Sequence, residues 1–266
     1  MTELADVGTR TPGKLRGPRP TWFAAQLVGL RSETRTARTL TFEVPGWPGH
    51  QAGQHVDVRL TAADGYSAQR AYSISAPADG DLVSITVQQV GEGEVSPYLV
   101  EVMELGDQLE VRGPIGGWFV WSPSPEAPVE QPVLLVGGGS GVVPLMAMVR
   151  ERVKTGSRAA FRLVYSVRDP DQVLYAAELA ERAGDEGLVV DLIYTRAAPD
   201  GATRPPGRIT AGDLATPPEA NWPVHPPPRA YVCGPTPFVE HTIGRLLDLG
   251  YTNRTIRAER FGPTGA

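Results

Sequence analysis

The sequence predicts a two-part chain: an antiparallel β-barrel, closed or nearly so, followed by an α/β unit on a parallel sheet. Three observations carry that expectation. Short alternating strands run from Trp22 to about Trp121, a proline-rich break follows, and from Val133 strands alternate with helices.

In the first part, Leu40, Phe42 and Val44 alternate with polar neighbours until Pro45-Gly46 ends the run. Val56, Val58 and Leu60 do the same up to the Asp64-Gly65 turn, as do Val83, Ile85 and Val87, and then Leu109 and Val111 before Gly113-Pro114. Strands at this spacing, without a long helix, fit a barrel. The stretch from Ser122 to Pro128 carries three prolines and breaks both helix and strand. Beyond it Val133–Val136 reads as a strand, and Val143, Met146, Val149 and Val153 lie at helical spacing. Phe161–Val167 and Leu188–Thr195 read as strands around a helix at Leu174–Ala183. Ala230–Cys233, a helix at Pro237–Leu249 and a strand at Ile256–Phe261 complete a pattern of parallel strands covered on both faces. The expected division is a disordered polar arm over 1–20, a barrel over 21–122, a linker over 123–131 and the α/β unit over 132–266.

Composition narrows the function classes. With 41% apolar and 21% charged residues the chain is globular, and a net charge of −5 argues against a general nucleic-acid binder. Cys233 is the single cysteine, so neither an internal disulfide nor an iron–sulfur cluster is expected. The four histidines show no metal-ligand spacing, and no metal is expected. No apolar run approaches the ~18 residues of a membrane span, and no signal-peptide core precedes Trp22. A cytoplasmic protein is the expectation.

Four motifs carry chemistry. Arg70-Ala71-Tyr72-Ser73 offers a cation for a pyrophosphate, a flat ring for a flavin and a hydroxyl for its polar edge. The same four residues also read as a strand with one exposed arginine and a half-buried tyrosine. Gly91 to Tyr98 leads glycines into an expected Ser-capped helix, where free N–H groups suit a phosphate, or into a plain hairpin loop and cap. Val136 runs straight into Gly137-Gly138-Gly139-Ser140-Gly141, a strand-to-helix turn that suits a dinucleotide pyrophosphate; easing helix–strand packing is the alternative. It lacks the GxGxxG spacing, and no acid follows where a ribose 2′-hydroxyl would need one. Tyr231-Val232-Cys233-Gly234-Pro235 puts a thiol at the carboxyl edge of the sheet, where α/β proteins bind ligands, although a lone cysteine is also a common core residue.

The order and separation of these motifs resemble the ferredoxin–NADP reductase superfamily of FAD-binding oxidoreductases, from about Trp22 to Phe261. The resemblance implies a six-stranded Greek-key FAD barrel and a C-terminal nicotinamide-binding α/β domain. It implies that Arg70 holds the flavin pyrophosphate, Tyr72 stacks on the flavin and Ser73 contacts N5, with Ala71, Val87 and Gln89 also on the flavin side. Gly93, Val95 and Ser96 match the second flavin phosphate loop. Gly138, Gly139, Ser140 and Gly141 match the nicotinamide-side turn, and Cys233, Gly234 and Pro235 lie beside the hydride path. Glu259-Arg260-Phe261 resembles the Glu-x-Phe segment of relatives, which adds Glu259 to Ser73 and Cys233 as residues around N5. Gln88-Gln89 departs from the basic residues of many relatives.

Arg168 and Arg196, with Ser166 and Thr195 beside them, follow strands where an adenosine 2′-phosphate would lie, and tilt the donor toward NADPH, with NADH possible. The expected reaction is hydride transfer from nicotinamide C4 to flavin N5, then one-electron release to an external ferredoxin-like or oxygenase component. Three alternatives stay open: a reductase of flavin, ferric iron or oxygen; a non-catalytic partner-binding module; and a flavin-free dehydrogenase.

Overall fold

The computed structural model describes residues 21–124, 130–202, 204–215 and 228–262. The expected arm over 1–20 and the middle of the proline-rich junction lie outside these residues.

Six antiparallel strands form the first sheet: β1 (Trp22–Thr34), β2 (Ala37–Glu43), β3 (His55–Thr61), β4 (Ser67–Ser73), β5 (Leu82–Gln88) and β6 (Gln108–Ile115). Their order is β4-β3-β6-β1-β2-β5. Just past β4, Ile74 bridges Ile85 of β5 and the Ser75 N–H donates to the Ser84 carbonyl, so the two edges meet and the barrel closes. Leu40, Phe42, Val56, Val58, Val83, Ile85 and Val87 are fully buried inside it, each stabilising by roughly 1.5–3 kcal/mol relative to exposure. The alternation read from the sequence is this inward face.

The long β1 escaped sequence reading for a physical reason. Its register against β2 shifts between Leu27 and Gly29 and again between Ser32 and Thr34, and such bulges break the period of two. Only Ala25 and Leu27 of the strand are buried.

Five parallel strands form the second sheet: β7 (Val133–Gly138), β8 (Phe161–Val167), β9 (Leu188–Tyr194), β10 (Arg229–Pro235) and β11 (Ile256–Phe261), in the order β11-β10-β7-β8-β9. Helices α1 (Val142–Thr155), α2 (Ala176–Arg182), α3 (Ala211–Leu214) and α4 (Thr236–Asp248) connect them. Every residue of β7 and β8 is buried, as in a sheet covered on both faces.

Helix α1 differs from its expected amphipathic form. Val142 through Val149 are all buried, whereas Val153 is 44% exposed. One flank packs on the parallel sheet. The other joins Ala52, Phe119 and Trp121 of the barrel side in a single apolar cluster. Gly53 completes this seam: at φ +101° it lets the chain pass so close to the Phe119 carbonyl that a Cβ would sit 1.9 Å from that oxygen.

A polar contact locks a second place between barrel and α/β layer. Tyr175 has φ +60°, and its ring lies under the Arg150 guanidinium at 4.5 Å. Its hydroxyl donates to Thr86 Oγ1 at 2.5 Å, and its N–H donates to Glu33 Oε2 at 3.3 Å. Glu33 in turn accepts from Thr39, and Arg150 donates to the Ser75 carbonyl and pairs with Glu178. This local strain at Tyr175 is why α2 begins two residues later than the expected Leu174. Tyr175→Phe removes this bond while Thr86 keeps Thr39 as a partner, and should lower unfolding stability by about 0.5–1.5 kcal/mol, read as a fall in urea midpoint; an unchanged midpoint would show that the bond adds nothing.

Candidate functional site

The barrel brings the two expected flavin motifs together. Arg70 and Tyr72 sit on β4, and the Gly91–Ser96 loop leaves the end of β5 beside them. Arg70 Nη2 lies 3.8 Å from Glu94 of that loop, and the Tyr66 hydroxyl also donates to Glu94 at 2.8 Å. Beyond this long pair, Arg70 bonds among the described residues only to the neighbouring Gln69 carbonyl, which leaves its guanidinium available to an anion. Tyr72 lies against the barrel core, and burial pushes its hydroxyl pKa up, so it stays a neutral flat ring. Ala71 is exposed on the opposite side of the strand.

Three expectations about this loop change. Ser96 caps no helix: its hydroxyl accepts from the Val90 N–H at 3.0 Å and folds the loop back on itself. The segment after it is a five-residue π-helical turn, Tyr98–Val102, without a side-chain cap. Val87 and Val95 point into the barrel core, leaving only backbone groups for a ligand. Gly93 fits the tight loop, since a Cβ there would meet Ser96 Oγ at 3.0 Å and the Val90 carbonyl at 3.1 Å. Gln89 binds Glu101 through its amide at 2.8 Å and is committed to the loop rather than free.

On the other side, the glycine turn after β7 divides its work. A Cβ on Gly141 would lie 2.2 Å from the Cys233 carbonyl oxygen, and one on Gly138 would enter the Phe238 ring at 2.6 Å. Gly234 is limited by the same ring at 2.7 Å. These three are glycine because α1, α4 and β10 approach too closely for anything else. Gly139 is different: φ is +55° and nothing lies within 4 Å of a Cβ position, so the Gly139–Ser140 edge is open. Packing and ligand binding are thus compatible uses of one turn. Phe238, which sequence reasoning passed over, seals both glycine segments; its position in the first turn of α4, three residues after Pro235, was the only signal.

Ser166 is buried and pairs with Gly138 across β7 and β8. The Arg196 N–H donates to the Arg168 carbonyl at 2.9 Å, which sets the two arginines side by side at the strand ends. Both are exposed. The Thr195 N–H donates to the Val167 carbonyl.

The two halves meet at a cluster of four side chains. His55 on β3 pairs with Ser73 on β4, and Cys233 on β10 pairs with Glu259 on β11. His55 Nδ1 lies 3.6 Å from Glu259 Oε1, joining the barrel to the parallel sheet. Burial raises the Glu259 carboxyl from 4.5 to about 7. Burial, and secondarily the Glu259 charge, pushes the Cys233 thiol well above its usual range, so it serves as a packed neutral group and not as a nucleophile. Burial lowers the His55 pKa, with Asp57 opposing. Glu259 Oε2 is buried with no hydrogen-bond partner among the described residues. Such an orphan, the free Arg70 fork and the open Gly139–Ser140 edge fit a flavin and a dinucleotide converging here. His55 was not singled out from the sequence, because nothing in its strand distinguishes it until β11 arrives opposite.

Among the described residues no helix is long and apolar enough to cross a membrane, and no group of three or more His, Cys, Asp or Glu is placed to hold a metal.

Comparison with known proteins agrees with this layout. Residues 25–120 match the oxidoreductase FAD-binding domain family and residues 135–243 the oxidoreductase NAD-binding domain family. The chain is 31% identical to the glycine betaine monooxygenase reductase subunit of Chromohalobacter salexigens, over 90% of this chain and 64% of that one. It is 27% identical to the ferredoxin reductase component of 3-ketosteroid-9-alpha-monooxygenase from Rhodococcus rhodochrous, over 86% of this chain and 62% of that one. The chain therefore spans a little under two thirds of the length of these relatives. The flavohem-like FAD/NAD binding domain of nitric oxide dioxygenase from Vibrio cholerae shares the fold, with a TM-score of 0.78 at 23% identity over 91% of this chain and 99% of that one.

Proposed function

Since the chain belongs to the ferredoxin–NADP reductase superfamily and is an FAD-containing, NAD(P)H-dependent oxidoreductase, we propose that it passes electrons from NADPH to a separate redox protein, ferredoxin-like or an oxygenase component. The observation that carries the reading is the meeting of Ser73 and His55 from the barrel with Cys233 and Glu259 from the parallel sheet. The names of two relatives, the reductase subunit of one monooxygenase and the ferredoxin reductase component of another, support an oxygenase component as acceptor. A cytoplasmic setting belongs to the same reading.

FAD supplies the chemistry when bound, accepting a hydride and releasing electrons one at a time. The protein's own residues bind, orient and tune. Arg70 would hold the pyrophosphate as a charge-assisted fork, with Gly93 and Ser96 shaping the loop beside it. Tyr72 would present its ring, and Ser73 a hydroxyl at the reacting edge. Gly139 and Ser140 would admit the dinucleotide, while Gly138, Gly141 and Gly234 keep α1, α4 and β10 close enough to form that edge. Arg168 and Arg196, adjacent and exposed, are the groups for a 2′-phosphate, which supports NADPH over NADH. The neutral Cys233 excludes water beside Glu259.

The deciding experiment is an absorbance spectrum of the purified protein followed by NADPH and NADH titration, with electron delivery then assayed to a ferredoxin and, separately, to a ferric chelate. A colourless protein that oxidises neither dinucleotide, or one that serves only the chelate, counts against the reading. Arg70→Ala should lose most of its FAD on gel filtration while its circular dichroism stays that of wild type. Full retention of the yellow cofactor would remove Arg70 from the assignment.

A further inference from the structure

We propose that His55 is a positioning residue of the site that holds one exchangeable proton jointly with Glu259, across the seam between barrel and parallel sheet. The inference rests on the reading above for its place in a reaction, and on geometry for the pair itself.

His55 Nδ1 and Glu259 Oε1 are 3.6 Å apart, with side chains 26% and 28% exposed. Each comes from a different sheet, and both end at the point where Ser73 and Cys233 also lie. Glu259 has no other salt bridge among the described residues, and its second oxygen is buried without a partner. A small movement closes 3.6 Å to a hydrogen bond. The loop over the ring turns at Gly116, where φ is +97° and a Cβ would be in ordinary contact with His55 Nδ1 at 3.6 Å. Gln54 fixes that loop by donating to the Gly116 carbonyl at 2.6 Å.

The surrounding charges leave the pair to itself. On β3, Asp57 faces the ring from two residues away but is engaged by Arg112 of β6. On β10 the neighbour is Cys233, and β4 contributes the uncharged Ser73 and Tyr72. On β11, Arg257 donates to the Val120 carbonyl and Arg260 to Glu240.

The step is one proton moving between Glu259 Oε1 and His55 Nδ1. The two forms are neutral imidazole with carboxylic acid, and imidazolium with carboxylate. No other bond changes and no electrons move, so the pair's net charge is the same in both. What changes is where the charge sits, which lets the site answer a change of charge on a bound ligand without drawing a proton through the seam. His55 acts through Glu259 and need not touch the reacting atoms.

The test is a pH titration of histidine ring signals by proton–nitrogen NMR on the full-length, FAD-loaded protein, comparing wild type, His55→Gln and Glu259→Gln. The signal missing from His55→Gln identifies the residue. In wild type the ring signal should show two steps, its own and a second as the Glu259 carboxyl ionises at about 7, and in Glu259→Gln a single step. A wild-type ring curve with one step, the same as in Glu259→Gln, overturns the proposal. In a second arm, NADPH oxidation with ferricyanide as acceptor is followed against pH. The wild-type inflection should vanish in Glu259→Gln and shift in His55→Gln; a His55→Gln profile that superimposes on wild type overturns the proposal. Should His55→Gln fail to fold, His55→Asn serves in its place. A wild type that does not oxidise NADPH sinks the functional reading, while the ring titration still decides the pair.

Discussion

Gly141→Ala is expected to lower kcat/KM for the dinucleotide by about a hundredfold or more, while FAD stays bound. The added methyl would sit 2.2 Å from the Cys233 carbonyl oxygen, 2.5 Å from its carbon and 2.7 Å from Gly234 N. All three are backbone atoms in the central region of the sheet, so no flexible side chain can swing away. Either α1 or β10 must retreat by roughly an ångström, and a displacement of that size at a reacting centre costs on the order of a hundredfold in rate. The flavin motifs on β4 and the following loop do not touch Gly141, which is why the cofactor should be retained. Steady-state kinetics with a small acceptor, alongside the visible spectrum, check both halves. An alanine variant with wild-type kcat/KM would show that the turn is not part of the dinucleotide path.

The second large effect concerns stability and its sign with pH. Burial holds the Glu259 carboxyl at about 7 in the folded protein, against an ordinary 4.5. Below pH 4.5 both states carry the proton and the group contributes no difference. Between 4.5 and 7 the unfolded chain releases its proton first, so rising pH favours unfolding until the folded protein also ionises. Above pH 7 the full penalty applies, on the order of 3 kcal/mol. Glu259→Gln removes it. The variant should therefore exceed wild type in urea stability by about that amount at about pH 8 and by little at about pH 5. Equal advantages at both pH values would mean that the carboxyl is not perturbed as described.

Much of the architecture was written in local pattern. Leu40, Phe42, Val56, Val58, Val83, Ile85 and Val87 announce their strands because one face of each is solvated and the other is not. The Val133–Val136 and Phe161–Val167 runs announce theirs because both faces are covered. β1 was invisible because its bulges erase the alternation, and the buried start of α1 because the barrel lies against its second flank. Neither fact is local.

The site divides in the same way. Arg70, Gly93 and the glycines after β7 stood out because each lies in a short motif, although the contacts that require glycine at 138 and 141 come from Phe238 and Cys233, far along the chain. His55 and Phe238 did not, since each matters only through a partner far away in the chain. Ser96 was legible as a loop residue but not in its role, because a hydroxyl before an expected helix looks like a cap until its acceptor geometry is seen.

The shared apolar seam of Ala52, Phe119, Trp121 and the outer flank of α1 bears on modularity. A barrel transplanted onto another α/β unit would bring Phe119 and Trp121 to a surface not shaped for them, and the orphaned α1 would expose Val143 or Met148 to water. The two halves can therefore be exchanged between relatives only as a matched set that carries both sides of the seam, with Gly53 included. Shuffling them freely would strip each of part of its own interior.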